Sequence, residues 1–225
     1  VYAWDVLNEY IHRSNAAAAT TWVSVYGDMG LKPTYVKAAF EYAYDELKKE
    51  NVQDKVTLFY NDYDTYFSVD DELALISYIN EGEKAKICGG IGMQSHVDIK
   101  RPTLEEYGNA LKAFINAGLE VQITELDITI NFDTDDTDGR TPSYGYKNEK
   151  ETDVDQAAFT KDFIKQIVDI QKNRDKTISP KGITGITVWG ISDQTSWRGG
   201  CKPLFFTRKS VRVKDETTGK YKTVY

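Results

Sequence analysis

The stretch TLEEYGNALKAFINAGLEVQITEL, residues 103–126, holds one complete helix and the strand that follows it. Thr103 and Glu106 have the spacing of a capping box, which predicts the start of a helix. Gly118 predicts its end, and the run Leu119 to Leu126 predicts a buried strand. The helix is predicted to bury Leu104, Tyr107, Leu111 and Phe114. A helix that leads directly into a buried strand indicates an α/β fold.

Similar units flank this stretch on both sides. The other predicted strands are Val1 to Asn8, Val56 to Asn61, Ile87 to Ser95 and Gly185 to Ile191. The other predicted helices are Thr34 to Lys49, Asp70 to Gly82 and Asp155 to Lys172. The second of these is predicted to bury Leu73, Ile76 and Ile79. Because strands and helices alternate, we expect a parallel sheet covered by helices.

The number of βα units favours an incomplete barrel. Five units fill most of the 225 residues, whereas a complete (β/α)8 TIM barrel of such units would need considerably more chain. An open, doubly wound sheet is the alternative, but no glycine-rich phosphate turn follows any predicted strand. A part-barrel would leave unpaired strand edges, so we expect the missing strands to come from upstream sequence or from a second chain.

Composition limits the kinds of partner. A net charge of -7 and a pI near 5.0 argue against nucleic acid and anionic membrane surfaces as partners, which leaves neutral ligands open. The two histidines and two cysteines have no metal-ligand spacing, and no cofactor motif is present, so neither a metal nor a cofactor is expected. Cys88 and Cys201 should lie at opposite ends of the sheet, so both are predicted to be free thiols.

Two glutamates follow or close predicted strands. Glu9 comes directly after the first strand, and Glu125 lies at the end of the fourth. The carboxyl ends of parallel strands share one face of a barrel, so both carboxylates can enter one cleft. A pair of carboxyl groups suits glycosidic bond cleavage, with one as the proton donor and the other as nucleophile or base. The alternative is that each glutamate caps a helix or pairs with a lysine.

Other polar and aromatic residues are predicted to lie near these glutamates. His96 ends the third strand, and Asp127 lies on the same side of its strand as Glu125, so the three side chains can interact. Trp189 and Trp197 frame a polar loop and suit a wall for a sugar ring, as Tyr63 does after the second strand. Taken one at a time, His96, Tyr63 and the two tryptophans could equally have a structural role in the core. The polar stretch Asn131 to Thr152 predicts a long loop on the same face, and its aspartates lack the pattern of an EF-hand calcium loop.

Taken in order, these segments resemble the family 10 glycoside hydrolases, the (β/α)8 retaining xylanases. Trp4 to Glu9 resembles the acid/base motif on the family's fourth strand, and Ile123 to Ile128 resembles the nucleophile motif on its seventh. Leu58 to Asp64, Gly90 to His96 and Val188 to Trp197 resemble the signatures of the fifth, sixth and eighth strands. The resemblance covers nearly the whole chain.

The resemblance implies an endo-1,4-β-xylanase that takes part in xylan degradation. Glu9 would be the general acid/base and Glu125 the nucleophile of a retaining double displacement, with carboxyl groups ~5 to 5.5 Å apart. The chain would supply strands 4 to 8 of the barrel, with residues 1–225 forming the C-terminal part of a single catalytic domain that lacks three strands and the final helix. Those strands would come in cis or from a second chain, and a carbohydrate-binding module inserted into the barrel fits the same pattern.

The resemblance also implies roles for the remaining site residues. Asn8 would bind the 2-hydroxyl of the sugar, and Asn61 would hold Glu9. Gln94 and His96 would position Glu125 and its sugar. The remaining implied roles are support of His96 by Asp127, stacking by Tyr63 on the leaving-group side, and enclosure of the reacting xylose by Trp189 and Trp197.

Two rival functions remain open. One is a related barrel glycosidase that acts on β-glucan or mannan, and the other is a fragment that binds xylan without cutting it. Because xylan is too large to enter a cell, we expect the protein to be secreted or to act at the cell surface or in the periplasm. The sequence shown has no apolar run of membrane-spanning length.

Overall fold

Six parallel strands form the sheet at the centre of the molecule. The computed structural model describes residues 1–13, 22–130, 151–198, 201–206, 211–214, 217 and 220–224. The strands are β1 (Ala3–Asn8), β2 (Thr57–Asp62), β3 (Gly90–Met93), β4 (His96–Asp98), β5 (Glu120–Thr129) and β6 (Ile183–Val188). They are arranged as β1-β2-β3-β5-β6, and β4 continues β3 along the edge of β5. This order agrees with the predicted succession of five βα units.

The third predicted strand, Ile87 to Ser95, is not continuous. Ser95 has a positive φ of 64°, and this left-handed residue divides the strand into β3 and β4. The Ser95 hydroxyl is hydrogen-bonded to the carbonyl of Met93 at 3.0 Å and to the hydroxyl of Tyr107 at 2.7 Å. The break therefore lies in a buried network, and beyond it His96 pairs with Asp127 of β5.

Four helices pack on the outside of the sheet. They are α1 (Thr34–Lys49), α2 (Val69–Ile79), α3 (Leu104–Asn116) and α4 (Asp153–Asn173). The capping box predicted at Thr103 and Glu106 is confirmed, since each side chain accepts a hydrogen bond from the other residue's backbone N–H. Thr152 and Asp155 form a second capping box, so α4 begins two residues before its predicted start.

The core lies between the helices and the sheet. The completely buried aromatic side chains Phe40, Phe114 and Phe163 come from α1, α3 and α4 and belong to the same core cluster as Ile123 of β5. The predicted face of α2 was wrong at one position, because Leu75 is fully buried and Leu73 only partly. The buried residues of this helix recur at a helical spacing from Glu72, namely Glu72, Leu75, Ile76 and Ile79.

The outer strands of the sheet are the most exposed part of its apolar surface. Among the described residues, β1 pairs only with β2, and β6 pairs only with β5. Trp4 of β1 keeps 60% of its surface accessible, and Ile186 of β6 keeps 42%. The sheet is thus open at both sides in the part of the chain that the structure describes.

Several smaller predictions concern the chain around this sheet. Cys88 and Cys201 are both free and buried, as predicted. Strands β7 (Val211–Lys214) and β8 (Tyr221–Val224) form an antiparallel pair. Most of the predicted polar loop, residues 131–150, also lies outside them. No helix in the described ranges combines the length and apolarity needed to cross a membrane.

Candidate active site

Glu9 lies at the carboxyl end of β1 in an uncommon backbone conformation. Its φ is 60°, and its backbone N–H donates to the carbonyl oxygen of Asn61 on the neighbouring strand at 2.9 Å. The side-chain amides of Asn8 and Gln94 both donate to Glu9 Oε1, at 3.0 and 2.9 Å. Backbone and side chain are therefore both fixed by hydrogen bonds.

Glu125 lies on β5 and is held by other groups. Asn61 Nδ2 donates to Glu125 Oε1 at 3.1 Å, and His96 Nε2 lies 3.4 Å from Glu125 Oε2. Asn61 Nδ2 also donates to Asn8 Oδ1 at 2.7 Å, and its own Oδ1 accepts a hydrogen bond from Thr124 at 2.7 Å. A chain of amides therefore joins the two carboxylates, so the structure brings both predicted glutamates into one site.

The two amides hold different carboxylates from those expected. The side chain of Asn61, expected to hold Glu9, bonds Asn8 and Glu125. Gln94, expected to position Glu125, donates to Glu9 and, at 3.3 Å, to Asn8. The reason is register: Asn61 pairs with Asn8 across the parallel sheet, and the break at Ser95 immediately follows Gln94.

A glycine on β3 makes room for this arrangement. A Cβ atom at Gly92 would lie 2.3 Å from Asn61 Oδ1 and 3.0 Å from Thr124 Cγ2. No side chain can therefore stand at position 92 without displacing the amide that bonds Glu125. The sequence places Gly92 in a predicted strand, but the need for a glycine there arises from Asn61 on the neighbouring strand β2.

His96, Asp127 and Trp197 form a second chain of hydrogen bonds behind Glu125. Asp127 Oδ2 lies 2.9 Å from His96 Nδ1 and accepts a hydrogen bond from Trp197 Nε1, also at 2.9 Å. Burial opposes the charged imidazolium, but the hydrogen bonds to Asp127 and Glu125 outweigh it, so the pKa of His96 is raised above its usual value. The expected grouping of His96 with both carboxylates is thus present.

Arg198 is a site residue that the sequence did not reveal. Its Nη1 atom lies 3.9 Å from Asp127 Oδ1, and its guanidinium lies 4.3 Å from the centre of the Trp197 ring. The ring of His96 also makes an edge-on contact with this indole, with ring centres 5.0 Å apart. Arg198 therefore supports both Trp197 and the buried carboxylate. The only sign of this role in the sequence is that Arg198 directly follows Trp197.

Tyr63 is supported by a histidine that the sequence also did not reveal. The imidazole of His12 stacks on Tyr63 with ring centres 3.7 Å apart. Asp62, which is fully buried, holds both residues: its Oδ1 lies 2.7 Å from His12 Nδ1 and accepts the backbone N–H of Tyr63 at 2.8 Å. No function was predicted for His12 from the sequence, because its contact with Tyr63 depends on the fold.

The two tryptophans border the carboxylates but are only partly covered. Trp189 lies just beyond β6, where its backbone N–H donates to Leu126 at 3.0 Å, so the last strand ends sooner than predicted. Trp189 and Trp197 keep 49% and 46% of their surfaces accessible. Flat apolar faces therefore stand beside the carboxylates. The described residues include no cluster of three or more His, Cys, Asp or Glu arranged to hold a metal ion.

A further acidic group, Asp5, interacts electrostatically with Glu125. Burial and, next, the charge of Glu125 raise the pKa of Asp5 on β1 above its usual value. Although neighbouring atoms surround part of Asp5, the residue is exposed to solvent, which weakens this interaction. Negative charge is therefore concentrated around Glu125 and Asp127, and the positive charge of Arg198 lies 3.9 Å from Asp127 Oδ1.

Comparison with known proteins places this arrangement in a family. Residues 1–216 match the sequence model of glycosyl hydrolase family 10. The chain is 39% identical over 208 residues to endo-1,4-beta-xylanase A of Butyrivibrio fibrisolvens, covering 92% of the chain and 43% of that relative. It is 30% identical over 200 residues to an endo-1,4-beta-xylanase of Geobacillus stearothermophilus, covering 88% and 53%. The chain thus spans about half the length of these curated relatives.

Solved structures agree with the sequence relatives. A family 10 endoxylanase from a sugarcane soil metagenome superposes with a TM-score of 0.66 at 26% identity, covering 92% of this chain and 58% of the other. A chain with the CBM22-1 and GH10 modules of Clostridium thermocellum endo-1,4-beta-D-xylanase 10B gives a TM-score of 0.64 at 28% identity, covering 92% of this chain and 38% of the other. The parallel sheet is therefore part of a (β/α)8 barrel, and the chain belongs to glycosyl hydrolase family 10.

Proposed function

We propose that the protein is an endo-1,4-β-xylanase that hydrolyses internal β-1,4-xylosidic bonds of xylan with retention of configuration. The observation that carries this proposal is the link between Glu9 and Glu125 through Asn8 and Asn61. Two carboxyl groups that meet in one cleft, beside partly exposed aromatic rings, suit the cleavage of a neutral polysaccharide. Family membership and the xylanase names of the relatives support the same reaction.

The proposed reaction has two steps. In the first, Glu125 attacks the anomeric carbon while Glu9 gives its proton to the departing oxygen, so a glycosyl ester forms and the glycosidic bond breaks. In the second, Glu9 takes a proton from water, the water oxygen attacks the same carbon, and Glu125 leaves as a carboxylate. Both glutamates return to their starting forms.

The surrounding residues have distinct parts in this proposal. Asn61 and His96 each contact one oxygen of Glu125, which orients the nucleophile, and Asp127 fixes the ring of His96. We assign Asn8 and Gln94, which bond Glu9 in the free protein, to the sugar hydroxyls once substrate is bound. Stacking on sugar rings is assigned to Tyr63, Trp189 and Trp197.

The open sides of the sheet support a proposal about the whole protein. The exposed Trp4 and Ile186 flank the sheet, and we propose that further strands, supplied in cis or by a second chain, cover them and complete the barrel. An inserted carbohydrate-binding module is compatible with this arrangement. A polymeric substrate also supports the proposal that the protein is secreted or acts at the cell surface or in the periplasm.

Product stereochemistry tests the reaction directly. We expect proton NMR during hydrolysis of xylohexaose to show the β-anomer first. A second test is the Glu9→Gln substitution, which should lower kcat on xylo-oligosaccharides by about 10²- to 10⁴-fold because it removes the proposed proton donor. Glu105→Gln, on the exposed first turn of α3, is the matched control and should leave kcat unchanged. An α-anomer formed first would refute the proposed roles. Release of cello- or manno-oligosaccharides alone would indicate a different glycosidase, and binding without cleavage a non-catalytic fragment.

A further inference from the structure

Three aromatic rings stack together in the segment between Glu9 and α1. Trp22, Tyr26 and Tyr35, here named the aromatic platform, are within 20° of parallel to one another. The ring centres of Tyr26 and Tyr35 are 4.6 Å apart, and the ring centre of Trp22 lies 5.7 Å from that of Tyr35 and 5.9 Å from that of Tyr26. The rings therefore share one orientation.

The aromatic platform is anchored on one side and open on the other. Tyr10, which is buried, contacts Tyr35 edge-on with ring centres 5.9 Å apart and donates its hydroxyl hydrogen to the carbonyl of Gly30 at 2.7 Å. By contrast, Trp22 and Tyr26 keep 50% and 46% of their surfaces accessible. Large rings held in parallel and left half in water form a surface that a flat ligand can cover.

The aromatic platform lies on the catalytic face of the sheet. In a βα unit, the carboxyl end of the strand and the amino end of the next helix lie on the same face. Glu9 follows β1, and Tyr35 is the second residue of α1, so both lie on that face. On the adjacent strand β2, Tyr63 follows the carboxyl end and stacks on His12. The aromatic platform and the stacked pair of Tyr63 and His12 therefore lie on the same face of the sheet.

The charges beside the aromatic platform favour a neutral ligand. Arg13 Nε donates to Asp28 Oδ1 at 2.7 Å, and the Arg13 guanidinium lies 4.9 Å from the centre of the Tyr10 ring. These opposite charges are therefore paired with each other. A neutral pyranose offers an apolar C–H face of about the size of an aromatic ring, which matches the exposed rings.

From this geometry we infer that the aromatic platform binds the leaving-group side of a linear β-1,4-linked xylan chain, several sugars beyond the cleavage point. The inference rests on the proposed function, since that function makes xylan the ligand and Tyr63 the start of the leaving-group side. It adds Trp22, Tyr26 and Tyr35 as a binding site that would favour long chains over short ones.

A comparison of two substrates distinguishes an effect on the aromatic platform from an effect on the catalytic groups. Xylohexaose extends across the leaving-group side, whereas nitrophenyl xylobioside carries no sugar there. In the form of the protein that cleaves nitrophenyl xylobioside, we expect Trp22→Ala and, separately, Tyr26→Ala to lower kcat/KM for xylohexaose by about 3- to 10-fold. The value for nitrophenyl xylobioside should not change. Trp22→Phe, which keeps a ring, should retain most of the activity on xylohexaose.

Tyr42→Ala provides the matched control, because Tyr42 is a tyrosine on α1 that is 73% exposed and contacts no ring of the aromatic platform. It should leave both substrates unaffected. Equal losses on both substrates, or no loss on either, for Trp22→Ala and Tyr26→Ala would overturn the inference. Circular dichroism of each variant checks that the substitutions leave the fold intact.

A binding measurement decides the inference independently of catalysis. In a Glu125→Gln background, which removes the proposed nucleophile, calorimetric titration with xylohexaose should show a dissociation constant about 3- to 10-fold higher when Trp22→Ala is added. If the unsubstituted protein cleaves neither substrate, the proposed function fails, and this titration still tests the aromatic platform. Equal dissociation constants with and without Trp22→Ala would overturn the inference.

Discussion

Asn61 and Gln94 show how single residues couple the two carboxylates. Each amide contacts Asn8, while Asn61 also bonds Glu125 and Gln94 also bonds Glu9. A change at either amide therefore alters one glutamate directly and the other through Asn8. In the proposed reaction, such shared hydrogen bonds would hold both carboxylates in place in advance, which lowers the free-energy cost of reaching the reactive geometry.

His96 should make the stability of the protein depend on pH. Because its pKa is raised in the folded state by Asp127 and Glu125, the protonated ring stabilises the fold below the unfolded value near 6.5. This stabilisation is lost as the pH rises through the folded pKa. We therefore expect the difference in free energy of unfolding between the unsubstituted protein and His96→Gln to decline above pH 6.5, by at most about 1.4 kcal/mol per pH unit.

Urea unfolding of both proteins from about pH 5.5 to 9 measures this difference. The Asp127→Asn background provides the control, since it removes the carboxylate that lies 2.9 Å from His96 Nδ1. There, His96→Gln should give a smaller change with pH. A difference that stays constant in the unsubstituted background would contradict the raised pKa.

Strand β3 illustrates how one element limits its neighbours. Gly92 pairs with Asn61 of β2 on one side and with Gln122 of β5 on the other. A Cβ at position 92 would meet Asn61 Oδ1 at 2.3 Å. The close spacing of three parallel strands therefore leaves room for the Asn61 amide only if β3 carries no side chain there.

Gly92→Ala should disturb the site through this contact. We expect kcat/KM for nitrophenyl xylobioside to fall about 100-fold, because a shift of Asn61 by about 1 Å misplaces Glu125. Gly185→Ala on β6 is the matched control, since its Cβ would meet Gln122 at an ordinary 3.8 Å. It should leave kcat/KM within about twofold. Similar activities for the two variants would show that Asn61 can move without consequence.

At the scale of the whole molecule, the sheet is closed on its helical side and open at its edges. Strand β5 has neighbours on both sides, whereas β1 and β6 each pair on one side among the described residues. The proposed catalytic pair spans this sheet, since Glu9 follows β1 and Glu125 belongs to β5. The geometry of the site therefore depends on the stability of β1 at the open edge.

Hydrogen exchange should report this difference in protection. For the 225-residue chain, we expect the backbone amides of β5 to exchange much more slowly than those of β1, because the outer edge of β1 is open to water. Deuterium uptake followed by mass spectrometry measures both strands in one sample. Adding a chain that pairs with β1 should slow the exchange of β1 alone. Equal protection of β1 and β5 in the unpartnered chain would contradict an open edge.

Local sequence patterns determined most of the elements. The capping box at Thr103 and Glu106 defined the start of α3, because both partners lie within one helical turn. Glu9 and Glu125 could be placed on one face because parallel strands have a single direction. Free thiols at Cys88 and Cys201 followed from their expected positions at opposite ends of the sheet. Each of these features depends on residues close in sequence or on a general rule of the fold.

Only the tertiary structure decided which side chains meet. The partners of Asn61 and Gln94, the left-handed Ser95 that divides the third strand, and the contacts of His12 and Arg198 all depend on strand register and loop paths. The stacking of Trp22 on Tyr35 is of the same kind. Periodicity fixes how one element exposes its faces, but hydrogen bonds between residues far apart in sequence depend on how the elements are packed together.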